Sequence, residues 1–270
     1  MNSTQLLATW PVENVSVAAV KKDNVKLFLG DQNLRYKLAS VTKLLASYAM
    51  LIAVEEGAVD LDRRLNERGE TYRKFMAHVC GYDFDTTRTL AEVGERRMYS
   101  NTAFRLLAEH FVNETQISLV DYISQAIFEP LDMQSSEIIS DVAAGGVSTA
   151  HDLAIFAAEL LHPKLVSKQT LDDARSVQFP GLAGVLPGYG AQRPNDWGLG
   201  FELKSNKNPH WTGKLNSAET FGHFGQSGTF IWVDPKIETA LVVLSDRAFG
   251  PWAKEVWAPF SDQVIKELCG

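Results

Sequence analysis

What this 270-residue chain lacks narrows its function before any motif is read. It holds two cysteines, Cys80 and Cys269, far apart, in no Cys-x-x-Cys pair and with no histidines at zinc-ligand spacing beside them. Neither a disulfide framework nor a zinc site is expected, both are read as free thiols, and nothing asks for a metal or other cofactor. The longest strongly apolar run, residues 44–54, is bounded by Lys43 and Glu55. It falls well short of the roughly 20 residues that cross a bilayer, so it reads as a buried helix and no membrane role is expected. The first twenty residues lack the basic start and continuous apolar run of a secretory signal, with Pro11, Glu13 and Asn14 interrupting them, so a cytoplasmic address is expected. Positive charge is in deficit too: 26 Lys and Arg against 33 Asp and Glu give a formal charge of −7. That is the wrong sign for gripping nucleic acid or an anionic membrane, and a small molecule becomes the expected partner.

What is present is ordinary globular text, 45% apolar and 22% charged, long enough for an enzyme-sized core. Residues 15–20 and 25–29 are β-rich runs separated by a polar turn, Lys21-Lys22-Asp23-Asn24. From Ser40, a plausible cap, a helix is expected to run to about Glu56, with Gly57 to stop it. Its apolar residues surround it almost entirely, which marks a central helix. Residues 103–112, 119–128 and 152–161 show helical spacing of apolar side chains, the last with Ser148-Thr149 as an N-cap signal. Residues 180–197, rich in Gly and Pro, read as a long loop. Two β-prone runs, 229–233 and 237–244, flank Asp234-Pro235-Lys236, and 252–268 closes the chain as an amphipathic helix. The pattern predicts an α+β fold, one antiparallel sheet built from both termini and flanked by helices, with an inserted all-helical lobe. The chain is read as a single catalytic domain, 1–270, with a sheet lobe of about 1–60 and 201–270, a helical lobe of about 61–200, and a cleft between them.

Leu38 to Lys43, LASVTK, puts Ser40 at a helix start with Lys43 three residues on, on the same helical face. A lysine serves as a base only when neutral, and burial and the positive end of a helix both disfavour its charged form. Lowering a lysine from about 10.4 to about 7 or 8 takes roughly 3 to 4 kcal/mol, which a buried site can supply. The Ser40 N–H at the helix start is free of intrahelical bonds and suited to an oxyanion. Ser-x-x-Lys alone is common, and its bland alternative is a capped helix with a surface lysine. Yet Lys43 adjoins the most apolar stretch of the chain, where Leu or Ala is more usual. Tyr99-Ser100-Asn101 offers a phenol to relay a proton and an amide to hold a substrate carbonyl, or else an ordinary cap. His223-Phe224-Gly225 precedes a β run, where glycine lets a substrate lie against a strand edge, or else is only a turn.

These three motifs, in this order and once each, resemble the serine β-lactamase and penicillin-binding-protein superfamily, in the class C-like branch with D-alanyl-D-alanine carboxypeptidases and family VIII esterases. Its pattern is Ser-x-x-Lys, Tyr-x-Asn, then Lys/His-x-Gly. The flanks ASVTKLLASYAMLIAVEEGAVDLD, YSNTAFRLLAEHF, IFEPLDM and GHFGQSGTFIWVDP are similar to family text as well, so the likeness covers nearly the whole chain. The resemblance implies Ser40 as acylated nucleophile, Lys43 as its base, Tyr99 as proton shuttle and Asn101 as substrate amide partner. It also implies His223 on the far wall beside Gly225, and an oxyanion hole from the backbone N–H groups of Ser40 and Gln226.

Where lactamases of this branch carry lysine the chain has His223, mostly neutral at pH 7 and a weaker anchor for a substrate carboxylate. A serine hydrolase acting through an acyl-enzyme on a small ester or amide is therefore expected. The alternatives are a true β-lactamase or D-alanyl-D-alanine peptidase, and, in another class, a silent ligand-binding protein. No carboxylate can be assigned to deacylation, leaving Tyr99 and Lys43 for that step. Ser227 in GQSG is a residue short of a Gly-x-Ser-x-Gly elbow and is not the nucleophile expected. Asp152, Asp246 and the remaining histidines are read as solvated or capping.

Overall fold

Alternation along the strands decides the layering. Val17 and Ala19 of strand β1 (Val15–Lys21) pack on one side of the main sheet, and Ala18 and Val20 on the other. The computed structural model describes residues 1–22 and 24–270. Its remaining strands are β2 (Asn24–Leu29), β3 (Tyr36–Lys37), β4 (Glu137–Ile138), β5 (Gly146–Ser148), β6 (Gly184–Leu186), β7 (Gly190–Gln192), β8 (Glu202–Leu203), β9 (Phe221–Gly225), β10 (Thr229–Asp234) and β11 (Thr239–Ser245). The helices are α1 (Ser3–Leu7), α2 (Thr42–Glu55), α3 (Tyr72–Met76), α4 (Asn101–Thr115), α5 (Leu119–Ile123), α6 (Ala150–Leu161), α7 (Lys168–Ala174) and α8 (Pro251–Cys269).

Six strands form one antiparallel sheet in the order β2-β1-β11-β10-β9-β8, so the first two strands of the chain join its last four. Both faces are covered. Ile231 and Val233 of β10 join the core shared with α2, α4 and α6, while Phe230 and Trp232 face α8 through Trp257 and Phe260. A strand buried on both sides needs apolar residues at every position, which is why β10 and β11 read as continuous apolar runs. This α+β arrangement is the β-lactamase/transpeptidase-like fold, as the sequence predicts, though the segment expected to be all-helical also carries β4 to β7. Of the expected turn at 21–24, Asp23 lies outside the described residues.

Residues 42–53 of α2 are all buried, consistent with a helix apolar on every side. Cutting one of its large side chains back, as in Leu51→Ala, should cost about 2–5 kcal/mol. Two expectations need correction. Residues 180–197 are not an irregular loop: the hairpin β6–β7 lies within them, its turn made possible by Gly188 at φ +77°. Ser40 is not a helix cap. It sits in a 3-10 turn, Ala39–Val41, ahead of α2, and makes no capping bond.

Candidate active site

The turn that carries Ser40 is held from three directions. Ala39 adopts φ +45°, a left-handed conformation that costs a residue with a Cβ about 1–3 kcal/mol. Thr42 Oγ1 donates to the Ala39 carbonyl (2.6 Å) and accepts from the Gly146 N–H (2.9 Å), while Thr229 Oγ1 donates to the Leu38 carbonyl (3.0 Å). A Cβ on Gly225 would overlap that same Leu38 oxygen, so glycine is required where β9 crosses the turn. Close approach of the chain to itself is enough to explain Gly225.

Around Ser40 Oγ stand Tyr99, whose hydroxyl donates to it at 2.6 Å, and Lys43, whose Nζ lies 3.2 Å away. Lys43 is fully buried, and burial lowers its pKa from 10.5 to about 7 despite the opposing pull of Asp141. A neutral amine has two N–H groups and one lone pair. Asn101 Oδ1 at 2.6 Å and the Ala143 carbonyl at 2.8 Å can only accept, so they take both N–H groups. The lone pair is left for the Ser40 hydroxyl. The network therefore directs that lone pair at Ser40 Oγ whenever Lys43 loses its proton. Burial raises the Tyr99 phenol well above its usual value, so it stays protonated and donating at neutral pH.

A closed circuit of bonds holds Lys43 from behind. Asn101 Nδ2 donates to Asp85 (3.0 Å), Arg105 bonds both Asp85 (3.1 Å) and Asp141 (3.2 Å), and Asp141 accepts from the Ala143 N–H (2.8 Å), whose carbonyl returns to Lys43. Asn101, expected to hold a substrate carbonyl, has both ends of its amide engaged in this circuit.

The described residues enclose a cavity of about 240 Å³ lined by Ser40, Phe84, Tyr99, Trp197, His223 and Gln226, among others. His223 is 4% exposed, and burial together with the positive Lys43 lowers its pKa to about 3. It is neutral at pH 7, and since the Phe224 carbonyl can only accept, Nδ1 is the protonated nitrogen, donating at 2.6 Å. Glu202 also reaches the wall. Burial works to raise its pKa, but its partners His210 and Lys207 outweigh that and hold it near 2. Its carboxylate is occupied by Lys207, by His210 Nε2 (2.8 Å) and by Trp211 Nε1 (2.8 Å). No free cation faces the cavity among the described residues that line it.

Ser40, Tyr99, His223 and Gln226 thus share the cavity, Lys43 and Asn101 lie directly behind it, and Gly225 serves the backbone. The sequence reading missed Asp85, Arg105, Asp141 and His78. His78, fully buried, is not solvated: it packs 4.7 Å from the Tyr99 ring and accepts from the Ser100 N–H at 3.3 Å. Asp152 is buried as well, accepting from Ser135 N (2.8 Å) and Ser136 Oγ (2.8 Å). No local signal in the sequence marks these residues, because their partners come from distant segments.

A hydroxyl between a buried amine and a phenol, where β9 of the antiparallel sheet crosses the turn before α2, forms a hydrolase-type site on a β-lactamase-like fold. The chain belongs to the Beta-lactamase family, whose model matches residues 8–264. A β-lactamase from Mycobacterium bovis is 48% identical to it with a TM-score of 0.96, the match covering 98% of each chain. A hydrolase with promiscuous acyltransferase activity shares the fold at TM-score 0.80 and 14% identity, over 97% of this chain and 96% of its own. A Salmonella gallinarum protein named "Putative D-alanyl-D-alanine carboxypeptidase" is 32% identical over 114 residues, 41% of this chain. The chain spans about a quarter of the length of the curated relatives it matches.

Proposed function

We propose that this hydrolase of the β-lactamase family works through an acyl-enzyme on Ser40, with a small ester or amide that carries no carboxylate as its substrate. The observation that carries the reading is the bonding of Lys43: two obligate acceptors take its N–H groups and leave its lone pair to Ser40, at a pKa of about 7. Lys43 takes the Ser40 proton as Oγ attacks the carbonyl carbon. The backbone N–H groups of Ser40 and Gln226 receive the oxyanion, and Tyr99 passes a proton to the leaving group. Water then attacks the ester on Ser40, with Lys43 and Tyr99 reversing their roles. The neutral His223 offers no cation to a substrate carboxylate, and Lys207 behind the wall is paired with Glu202, which supports an uncharged substrate.

β-Lactam hydrolysis is the second reading, favoured by the 48% identity to the M. bovis protein over nearly the full chain. Turnover of p-nitrophenyl acetate, benzylpenicillin and a D-alanyl-D-alanine peptide by wild type and Ser40→Ala tests both. Ester cleavage by wild type alone supports the proposal, Ser40-dependent ring opening moves the assignment to a lactamase, and equal activity of the two proteins overturns Ser40 as nucleophile.

A further inference from the structure

The cavity at Ser40 does not end at its own mouth. A second cavity of about 410 Å³ shares Phe84, Tyr99 and Pro187 with it and continues outward past Met98, Gly184 and Val185. Two large apolar side chains stand at this passage and are left in solvent: Phe84 is 48% exposed and Val185 59%. Both are fixed in place. The Phe84 carbonyl accepts from the N–H groups of Asn101 (2.8 Å) and Thr102 (3.3 Å) at the start of α4, and its ring stacks on Tyr99 with centroids 5.9 Å apart. Val185 rides on β6, which is tied to the strand-like segment before Tyr99 by the Arg97 N–H to the Ala183 carbonyl (2.9 Å) and a bridge from Arg97 to Gly184. A Cβ on Gly184 would overlap the Arg97 carbonyl, so the hairpin is seated directly on that segment.

Exposed apolar side chains are common on this surface, but these two line a cavity continuous with the one at Ser40, on backbone held by hydrogen bonds. We infer that the passage between Phe84 and the β6–β7 hairpin is a binding groove for an unbranched apolar chain of the substrate, so that the preferred esters carry a chain of about six or more carbons leading away from Ser40. The inference rests on the ester-hydrolase reading for turnover, but the groove itself is a property of the surface. Asp83 and Arg96 add polar groups to the lining of this second cavity, beside Phe84, Met98, Val185 and Pro187. The chain can belong to the acyl or to the alcohol side of the ester, since both project from the same carbonyl carbon.

Two ester series separate those sources: p-nitrophenyl esters of acids from C2 to C10, and acetates of alcohols from C2 to C10. In one of them kcat/KM should rise about two- to fourfold per methylene, close to the transfer value of a buried methylene, until the groove is filled. Val185→Asp should cut the octanoyl-to-acetyl (or octyl-to-ethyl) ratio by tenfold or more, and Val185→Leu should restore it. The two-carbon ester, too short to reach Val185, should be cleaved equally by all three proteins. A flat or falling profile in both series, or a Val185→Asp loss equal at every length, overturns the groove. Binding of octanamide and acetamide to Ser40→Ala, with and without Val185→Asp, reads the groove without turnover. Octanamide binding lost on Val185→Asp sustains the groove even where no ester is hydrolysed, whereas hydrolysis dependent on Ser40 with no octanamide binding overturns the groove and leaves the hydrolase reading standing.

Discussion

Raising the pH from 6 to 8 should speed acylation of Ser40 by a neutral activated ester about tenfold, after which the rate should level off. Only the neutral amine can take the Ser40 proton, and with Lys43 at about 7 the neutral fraction climbs from about one-eleventh at pH 6 to ten-elevenths at pH 8. A lysine left at 10.5 would instead gain about a hundredfold over the same interval and go on rising past pH 10. The two cases differ in shape as well as in size. The assay is the pre-steady-state release of p-nitrophenol at its isosbestic wavelength, at constant ionic strength, with Ser40→Ala as the blank. Neither Tyr99, held protonated by burial, nor His223, neutral throughout this range, contributes a second inflection. A log-linear rise through pH 9 would refute the argument that burial neutralises Lys43, and a rate independent of pH would refute Lys43 as the base.

The circuit behind Lys43 gives a prediction of opposite signs: Arg105→Gln removes a positive neighbour and should move the acylation midpoint upward, while Asp141→Asn should move it downward. Measured pH profiles that shift the same way for both would show the circuit to be structural only. Lys43→Met should raise stability relative to wild type below pH 7, because holding the ammonium out of water opposes folding by on the order of 5 kcal/mol, less the cost of freeing Asn101 and Ala143. Since the folded-state pKa lies below the unfolded one, the unfolded chain binds more protons between pH 7 and 10.5 and wild-type stability rises there. The advantage of the variant should shrink by about 1.4 kcal/mol per pH unit in paired urea titrations from pH 7.5 to 9.5. His223→Lys should raise kcat/KM for a carboxylate-bearing ester relative to its methyl ester by about tenfold or more, the worth of a charged hydrogen bond; an unchanged ratio would place His223 away from the substrate.

Sequence patterns reached some parts of this molecule and stopped short of others for physical reasons. The all-apolar run after Lys43 and the continuous β runs of β10 and β11 were legible because burial on every side demands apolar residues at every position. The motifs at Ser40, Tyr99 and His223 were legible as spacing, and the structure brings all three to one cavity. The β6–β7 hairpin was not, since its few apolar residues are diluted by the Gly and Pro that its turns require. Nor was the use of Asn101. Its neighbours in the chain say cap or substrate amide, but its partners Lys43 and Asp85 lie 58 and 16 residues away, where only the folded backbone sets the contact. The same holds for Arg105, whose two carboxylate partners come from segments on either side of it in sequence, and for His78, buried in a φ +57° conformation that nothing local announces.

Peptide mapping of the protein quenched in acid within seconds of mixing with p-nitrophenyl acetate tests the central claim most directly. An acetyl group is expected on the peptide containing Ser40, its yield reduced at least a hundredfold in Lys43→Met and absent in Ser40→Ala. Acetylation found instead on Tyr99 or Lys43 while p-nitrophenol is released at the wild-type rate from Ser40→Ala would contradict it.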